Sequence, residues 1–269
     1  MRFNLTIFSL FTALVLFSSC EKVIDVDLNT AEKKYVIEAI ITDQEQGAKV
    51  VITETKNFDE DNNYPGVRNA VVEVTEAGGS TVIFPEQVPG IYSLTNYKGT
   101  PGKSYSLKIT IGGQVFTATS VMPVRVGIDS IFVTDEFLFG ETRKIVNLSF
   151  KDPVGRGNNY RYVQFVNGNK ETQILVQNDD YVDGRNVTSK LFFFGDDDEE
   201  DSQIKSGDLV KIDFQCIDAA NYKFWYSLFR GSTGGSQSGT PSNPLSNIQG
   251  GALGYFSAHT LDTDSLIVP

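Results

Sequence analysis

From Tyr35 onward, apolar and polar residues alternate with a period of two in many short runs. The runs are rich in β-branched residues, and turn residues such as Pro65-Gly66 and Gly112-Gly113 separate them. Short alternating runs at a spacing of about 8–15 residues are typical of antiparallel sandwiches. The pattern predicts a mainly β chain with a tight hairpin at Gly112-Gly113. The predicted strands lie at 35–42, 50–55, 70–75, 104–111, 115–121, 129–134, 145–150, 160–166, 173–176, 190–194 and 209–216.

The predicted strands divide into two groups near residue 124. The chain has 269 residues, which is enough for one or two domains, since domains usually contain about 100–200 residues. We predict an immunoglobulin-like or transthyretin-like β-sandwich at 35–124 and a second β-rich domain at 125–269. Near the end of the second domain, Gly250, Gly251 and Gly254 predict close approach of two backbones before a final strand.

One short helix is predicted in the second domain, at Asp218–Phe229. Asp218 is a suitable N-cap, and Gly231 is expected to end the helix. Aromatic rings recur along it at spacings of three and four residues, which places them on one face. Such a face usually packs on a sheet, and the alternative is a platform that contacts a ligand or partner. The residues of such a platform are Tyr222, Trp225, Tyr226, Tyr255 and Phe256, beside a Gly/Ser/Pro-rich loop at Gly231–Pro244.

Residues 1–19 have the layout of a secretory signal. Arg2 precedes an apolar run from Leu5 to Phe17 that is short for a membrane span, and two small residues follow it. The next residue, Cys20, is similar in position to the lipidated cysteine of bacterial lipoproteins. We therefore predict a lipoprotein signal peptide at 1–19, diacylglycerol modification of Cys20 and a tether at 20–34. An ordinary cleaved signal or an uncleaved anchor is the alternative.

Composition excludes several functional classes. One histidine and two cysteines cannot supply a His/Cys zinc cage or a disulfide framework. The formal net charge of −11 gives no electrostatic support to nucleic-acid binding. His259 could pair with Ser257, but no nucleophile elbow of the Gly-x-Ser-x-Gly kind precedes a helix in this sequence. We therefore predict that the chain has no catalytic residues and is not an enzyme.

Acidic segments offer oxygen ligands of the kind that Ca²⁺ prefers, but none has the complete spacing of a calcium loop. The segments are Asp59, Asp61 and Asn63, the run at 196–201, and Asn178–Gly184. We interpret them as solvated loops and Asx turns that join strands. Weak calcium binding at Asp59, Asp61 and Asn63, or at 196–201, is the alternative, and no other cofactor is predicted.

The closing stretch, Asn243–Ala258, reads NPLSNIQGGALGYFSA. It is similar to the C-terminal signature of domain-of-unknown-function family 4249, a family of Bacteroidetes lipoproteins. The resemblance extends over nearly the whole mature chain, through Cys20, Tyr35–Asp43, Asn69–Val74, Tyr181–Gly184 and Gly207–Ile212. It implies a two-part β-rich lipoprotein of the outer membrane, and genes of this family commonly lie beside genes for TonB-dependent receptors.

These observations lead to an expected function without a defined chemistry. We expect a non-enzymatic cell-envelope lipoprotein that is an accessory or interaction subunit of a TonB-dependent receptor system. Its expected partners are the membrane, through the N-terminal lipid, and an outer-membrane β-barrel receptor. The alternative is a surface lipoprotein that captures a glycan, a peptide or a metal chelate. The resemblance leaves open the periplasmic and the cell-surface face of the outer membrane.

Overall fold

The computed structural model describes residues 32–45, 47–57, 60–61, 63–138, 140–192, 203–232 and 243–269. Residues 33–56 and 61–269 form one compact unit, whereas the other unit, 1–32 with 57–60, lies almost wholly outside these ranges. No described helix is both long and apolar enough to cross a membrane. Several predicted features lie outside the described residues: the signal peptide at 1–19, Cys20, most of the tether, Asp59, the run at 196–201, and 233–242 of the Gly231–Pro244 loop.

The described chain is mainly β with one helix, as the sequence predicts. The strands before residue 124 are β1 (Tyr35–Thr42), β2 (Ala48–Glu54), β3 (Val71–Glu76), β4 (Thr81–Phe84), β5 (Glu86–Val88), β6 (Ile91–Ser93), β7 (Ser104–Ile111) and β8 (Gln114–Val121). The later elements are β9 (Ser130–Leu138), β10 (Glu141–Lys151), β11 (Asn159–Val166), β12 (Asn169–Lys170), β13 (Leu175–Asn178), β14 (Asn186–Leu191), β15 (Leu209–Ile217), the helix α1 (Ala219–Ser232) and β16 (Leu253–Ile267).

Three sheets build the unit, and the longest strand joins its two halves. One sheet follows the order β12-β11-β15-β16-β1-β2-β6-β5, with β13 also paired to β11. The other sheets are β4-β3-β7-β8 and β14-β10-β9. The first half of β16, Leu253–His259, lies parallel to β1. The second half, from Thr260 to Ile267, lies antiparallel to β15.

Two hydrophobic cores lie between the facing sheets. The first core packs β1 and β2 against β3, β7 and β8, and the second packs β11 and β15 against β10 and β14. Alternation drives this packing, because Tyr105, Leu107 and Ile109 of β7 are buried whereas the residues between them are more exposed. The first core consists of residues before 124 together with residues of the closing stretch such as Ile248 and Phe256, and the second consists of residues after 124.

Every predicted run overlaps a strand of the structure. The hairpin at Gly112-Gly113 is confirmed: Ile111 pairs with Gln114, and both glycines have positive φ, +55° and +87°. Two positive φ values are the requirement of a type I′ turn. The strands that the sequence reading missed are β4, β5, β6 and β12, each of four residues or fewer. Runs of that length carry too few alternations to distinguish a strand from a loop.

The helix begins where the sequence predicts and ends later. Asp218 is the N-cap, because its Oδ1 accepts a hydrogen bond of 2.8 Å from the backbone N–H of Asn221. The prediction that Gly231 ends the helix is wrong, since α1 includes both Gly231 and Ser232. A glycine in a helix costs only about 1 kcal/mol relative to alanine, so it can be accommodated in the last turn.

Candidate binding site

The helix α1 divides the aromatic residues predicted for a platform between two environments. Asn221 and Phe224 are buried, Trp225 is half-buried, and Tyr226 is exposed over 46% of its surface. The face that packs on the sheet therefore contains Asn221 and Phe224, and Tyr222, Tyr226 and Phe229 form a ridge beside it. This arrangement corrects the expectation that the whole aromatic stripe packs on the sheet.

The inner side of α1 holds a cluster of rings around Tyr255 of β16. The ring centroid of Tyr255 lies 4.9 Å from that of Phe224 and 5.0 Å from that of Trp225. The guanidinium carbon of Arg161, on β11, lies 3.7 Å from the centroid of a Trp225 ring. A cation in this position is attracted by the ring, and the contact attaches the helix to the sheet.

The outer ridge is partly exposed. The rings of Tyr222 and Tyr226 stack with a centroid distance of 5.8 Å and an interplanar angle of 17°. Phe229, one turn further along the helix, is 41% exposed. Aromatic side chains that remain partly exposed on a rigid helix offer a large contact area at a low cost in conformational entropy.

An open groove of about 320 Å³ lies between this ridge and two strands. Tyr226 and Phe229 form its helical side, β13 and β14 its other sides, and Tyr162 of β11 also lines it. In the part of the chain that the structure describes, β13 pairs only with β11 and β14 only with β10. Each strand therefore has one edge without strand pairing next to the groove. Unpaired strand edges carry backbone groups that an extended segment can pair with.

Three polar side chains are held together at one side of the groove. The hydroxyl of Tyr162 lies 3.0 Å from Gln177 Oε1 and 2.8 Å from Ser189 Oγ. Ser189 Oγ in turn lies 2.8 Å from Gln177 Oε1. Burial raises the pKa of Tyr162, so its hydroxyl stays protonated at neutral pH. The groove thus combines apolar and aromatic surfaces with a few ordered hydrogen-bonding groups, a mixture that is usual in binding sites.

Phe256 lies apart from the other predicted platform residues. It is fully buried in the first core, with no exposed surface. Its backbone carbonyl accepts a hydrogen bond of 2.9 Å from Asn221 Nδ2. Phe256 therefore positions α1 through its backbone, and its ring belongs to the packing of the first core.

Ser257 and His259 are brought together, as the sequence allowed. Ser257 Oγ lies 2.9 Å from His259 Nδ1. Burial, with the nearby charge of Arg161, lowers the pKa of His259 to about 4. A general base is most effective with a pKa near the working pH, and a nucleophile must reach its substrate. The serine is only 2% exposed, so this arrangement is that of a buried polar pair.

Asp61, one of the carboxylates considered for calcium, has protein partners. Lys56 Nζ donates to Asp61 Oδ1, and the N–H of Asn63 donates to the same atom over 3.2 Å. These hydrogen bonds, and the charge of Lys56, lower the pKa of Asp61. The contact from Asn63 to the residue two positions before it is the Asx turn that the sequence predicts.

A second group of carboxylates lies at the ends of two loops. Oxygens of Asp152, Asp179 and Asp183 all lie within 4.8 Å of one another. Asp179 accepts hydrogen bonds from the backbone N–H groups of Gly157 and Asn158, over 3.0 and 2.9 Å. Gly155 N–H donates to Asp183 Oδ1 over 2.7 Å, and Gly184 N–H to Asp152 Oδ2 over 2.9 Å. The hydrogen bonds of the group close the loops at 153–158 and 179–184. Sequence spacing missed Asp152 because the strands β11, β12 and β13 lie between it and Asp179 in the chain.

Comparison with known proteins adds a family and no activity. No curated protein matches this chain. The family model described as Domain of unknown function (DUF4249) matches residues 21–265, which is nearly the whole chain after Cys20. The match includes both cores, the helix α1 and almost all of β16. The chain therefore belongs to the DUF4249 family.

Proposed function

We propose that this protein is a non-catalytic lipoprotein of the outer membrane, an accessory subunit of a TonB-dependent receptor system. The observation that carries the proposal is the exposed ridge of Tyr226 and Phe229 beside two strand edges without pairing. Exposed aromatic residues next to a rigid concave surface are enriched where proteins bind other proteins. An accessory subunit needs such a surface and needs no reactive group.

The N-terminal sequence supports the membrane attachment. Cys20 follows a signal-like segment, and lipidation there would hold the protein at the membrane. A chain with a formal net charge of −11 is not attracted to an anionic lipid surface by its own charge. On this proposal the lipid supplies the attachment, and the folded unit remains free to contact the receptor.

The strand edges support a defined mode of contact. The edges of β13 and β14 lie beside the groove, and an extended segment of a receptor could add to either of them through backbone hydrogen bonds. The rings of Tyr226 and Phe229 would then receive the side chains of that segment. Backbone pairing gives affinity and the rings give specificity.

The test is a pull-down of the detergent-solubilised protein from its native host, with bound proteins identified by mass spectrometry. We expect a stoichiometric β-barrel receptor with the wild type. The double substitution Tyr226→Ser and Phe229→Ser should remove the receptor, and Phe137→Ser should keep it. Phe137 is the matched control because it is an exposed aromatic residue, at 75%, on β9, and no residue of β9 lines the groove.

Two results would contradict the proposal. A wild-type protein that is recovered without any barrel is not a receptor subunit. A barrel that is retained by the double variant would exclude the ridge as the contact. A Cys20→Ala variant separates membrane attachment from receptor binding, since it should leave the membrane fraction and still bind a solubilised receptor.

A second candidate function is capture of a ligand in the same groove. The volume of about 320 Å³ is within the usual range for small-molecule sites, and Tyr162, Gln177 and Ser189 offer ordered polar groups. A thermal-shift screen of glycans, peptides and metal chelates tests it. A ligand that stabilises the wild type and not the Tyr226→Ser variant would support capture.

A further inference from the structure

A second cavity, of about 190 Å³, lies on the other face of the sheet from the groove. Tyr162 lines the groove and Arg161 lines this cavity. Neighbouring residues of a strand point to opposite faces, so the two sites are separate. Trp225 and Tyr255 contribute rings to the cavity wall, and Val163 and Phe165 contribute further apolar surface.

Arg161 stands out among the residues of this cavity because one of its buried N–H donors has no hydrogen-bond acceptor in the protein. Its Nη1 donates to Gln215 Oε1 over 3.0 Å, and its Nε is buried without a hydrogen-bond partner. Within the part of the chain that the structure describes, Arg161 forms no ion pair with a carboxylate. Burial lowers the pKa of Arg161 to about 10, so it remains charged at neutral pH. A desolvated cation without an anion is costly, which makes the site favourable for an anion.

The other charged groups around the cavity offset Arg161 only in part, through the carboxylate of Asp213. Lys170 also lines it and adds positive charge. Asp213 is the acidic residue of the wall, and it already contacts Lys211 Nζ at 3.3 Å and accepts from Thr263 Oγ1 over 3.0 Å. His259 also lines the cavity and is neutral at pH 7. The cavity is therefore a local positive site in a chain whose formal net charge is −11.

The geometry of the cation also limits the ligand. The guanidinium lies over a Trp225 ring, and because its N–H bonds lie in its own plane, an anion is bound at the edge of that plane. Edge-on approach matches the planar fork of a carboxylate, which can accept two parallel N–H bonds. The neighbouring rings and aliphatic groups would surround an apolar group attached to that carboxylate.

We propose that this cavity binds a carboxylate that is joined to an apolar or aromatic group, with Arg161 as the residue that binds the anion. The carboxylate could belong to a small organic acid or to the C-terminus of a peptide. Both present the same chemistry to Arg161, and the cavity volume corresponds to one such group. The inference goes beyond the receptor-subunit proposal, and it can hold or fail independently because the site lies on another face.

The experiment is calorimetric titration of the full-length protein in detergent with phenylacetate and with 2-phenylethanol. The two probes have a similar shape, and only the first carries a carboxylate. We expect phenylacetate to bind at least tenfold more tightly than 2-phenylethanol. Trp225 is the only tryptophan of the chain, so its fluorescence should change during the titration and report binding at this cavity. Equal affinity for the two probes would overturn the proposal. It would also be overturned if neither these probes nor the tripeptide Ala-Ala-Phe, described below, binds to the protein.

Variants assign the effect to Arg161. Arg161→Gln should weaken phenylacetate binding at least tenfold, and Arg161→Lys should weaken it less because the charge remains. Arg156→Gln is the matched control, since Arg156 is exposed on the loop before β11 and does not line the cavity, and it should bind as the wild type does. An Arg161→Gln variant that binds phenylacetate normally would exclude the assignment. The comparison of the two probes on the wild type stays valid even where a variant folds poorly.

A second pair of probes distinguishes the source of the carboxylate. The tripeptide Ala-Ala-Phe is compared with its C-terminal amide under the same conditions. Binding of the free peptide and not of the amide supports recognition of a peptide C-terminus. Binding of phenylacetate alone supports a small organic acid. Binding of the peptide and its amide with equal affinity would contradict a carboxylate site.

Discussion

His259 lies at the residue where β16 changes its pairing partner. It pairs with Thr42 of β1, and the next residue, Thr260, pairs with Cys216 of β15. The imidazole is only 4% exposed, and burial lowers its pKa to about 4 from the ordinary histidine value of 6.5. Its partner is the hydroxyl of Ser257, which does not compensate a positive charge. The neutral ring is therefore part of the folded state.

The depressed pKa of His259 predicts a loss of stability in acid. Between pH 6.5 and 4 the unfolded chain binds a proton at this residue and the folded chain does not, so the free energy of unfolding falls as the pH falls. From pH 7.5 to 5.0 the contribution is about 2 kcal/mol. Urea unfolding at the two pH values measures it. His259→Asn, which does not titrate, should lose about 2 kcal/mol less than the wild type, and an equal loss in both proteins would contradict the assignment.

At the scale of elements, the N-terminus of α1 is tied to both sheets of the first half. Besides capping the helix, Asp218 accepts from the hydroxyl of Ser120 over 2.6 Å and from the N–H of Val121 over 3.0 Å, through Oδ2. The same Ser120 hydroxyl accepts from the N–H of Ala258 in β16, over 2.9 Å. One carboxylate therefore connects the helix start to β8 and, through Ser120, to β16.

Asp218→Ala should destabilise the protein more than loss of a helix cap alone. A cap contributes about 1 kcal/mol, and leaving the buried Ser120 without its acceptor adds about 1–3 kcal/mol. We expect a total loss of about 2–4 kcal/mol in the free energy of unfolding, measured in urea. Asp129→Ala is the control, since Asp129 is exposed and lies outside any helix, and it should change stability by less than about 0.5 kcal/mol. A similar free energy of unfolding for the two variants would show that the hydrogen bonds of Asp218 contribute little to stability.

The same helix shows what can be predicted from sequence and what cannot. The spacing of its rings identified α1, and Asp218 identified its start, because both signals are local. The buried face could not be assigned from apolar spacing, because a polar residue, Asn221, occupies it and donates to the backbone carbonyl of Phe256. With Asn221 facing the sheet, Tyr226 and Phe229 lie on a more exposed side of the helix.

The candidate sites depend still more on distant contacts. Tyr226 could be selected from sequence as part of an aromatic stripe. Arg161 could not, because its environment comes from Trp225 on the helix and Gln215 on a neighbouring strand. Alternation along β11 indicates only that Arg161 and Tyr162 face opposite sides. Which face of β11 is covered, and by which residues, depends on contacts with elements distant in the sequence, and no local pattern indicates them.

At the scale of the whole molecule, β16 and Arg125 join the two cores. Arg125 Nη2 lies 2.6 Å from Asp43 Oδ2, and its Nη1 lies 3.7 Å from Asp262 Oδ1 in the second half of β16. Asp43 also accepts from the N–H of Leu261 over 3.0 Å. The junction between the halves is therefore a hydrogen-bonded structure, and not a free linker. The two cores are expected to lose stability together when β16 is disturbed.

Gly254 offers a direct test of this coupling. It pairs with Ile37, and a Cβ at Gly254 would lie 2.0 Å from the carbonyl oxygen of Ile37. Gly251 has a similar backbone, φ +92° against +98°, but a Cβ there would meet open space. Gly254→Ala thus adds a steric clash to backbone strain, and Gly251→Ala adds strain alone, about 1–3 kcal/mol. The sequence expectation of close backbone approach is confirmed at Gly254 and at Gly250, where a Cβ would lie 2.6 Å from the carbonyl oxygen of Val115, and is wrong at Gly251.

Hydrogen exchange of backbone amides distinguishes coupled cores from independent ones. In the Gly254→Ala protein we expect lower protection in the first core, at Val72 and Ile109, and also in the second, at Ile212 and Phe214. The Gly251→Ala protein should show a smaller loss in both. The clash is confined to the half of β16 that pairs with β1, so only a cooperative strand can transmit it to β15. Loss of protection in the first core alone would mean that the two halves unfold independently.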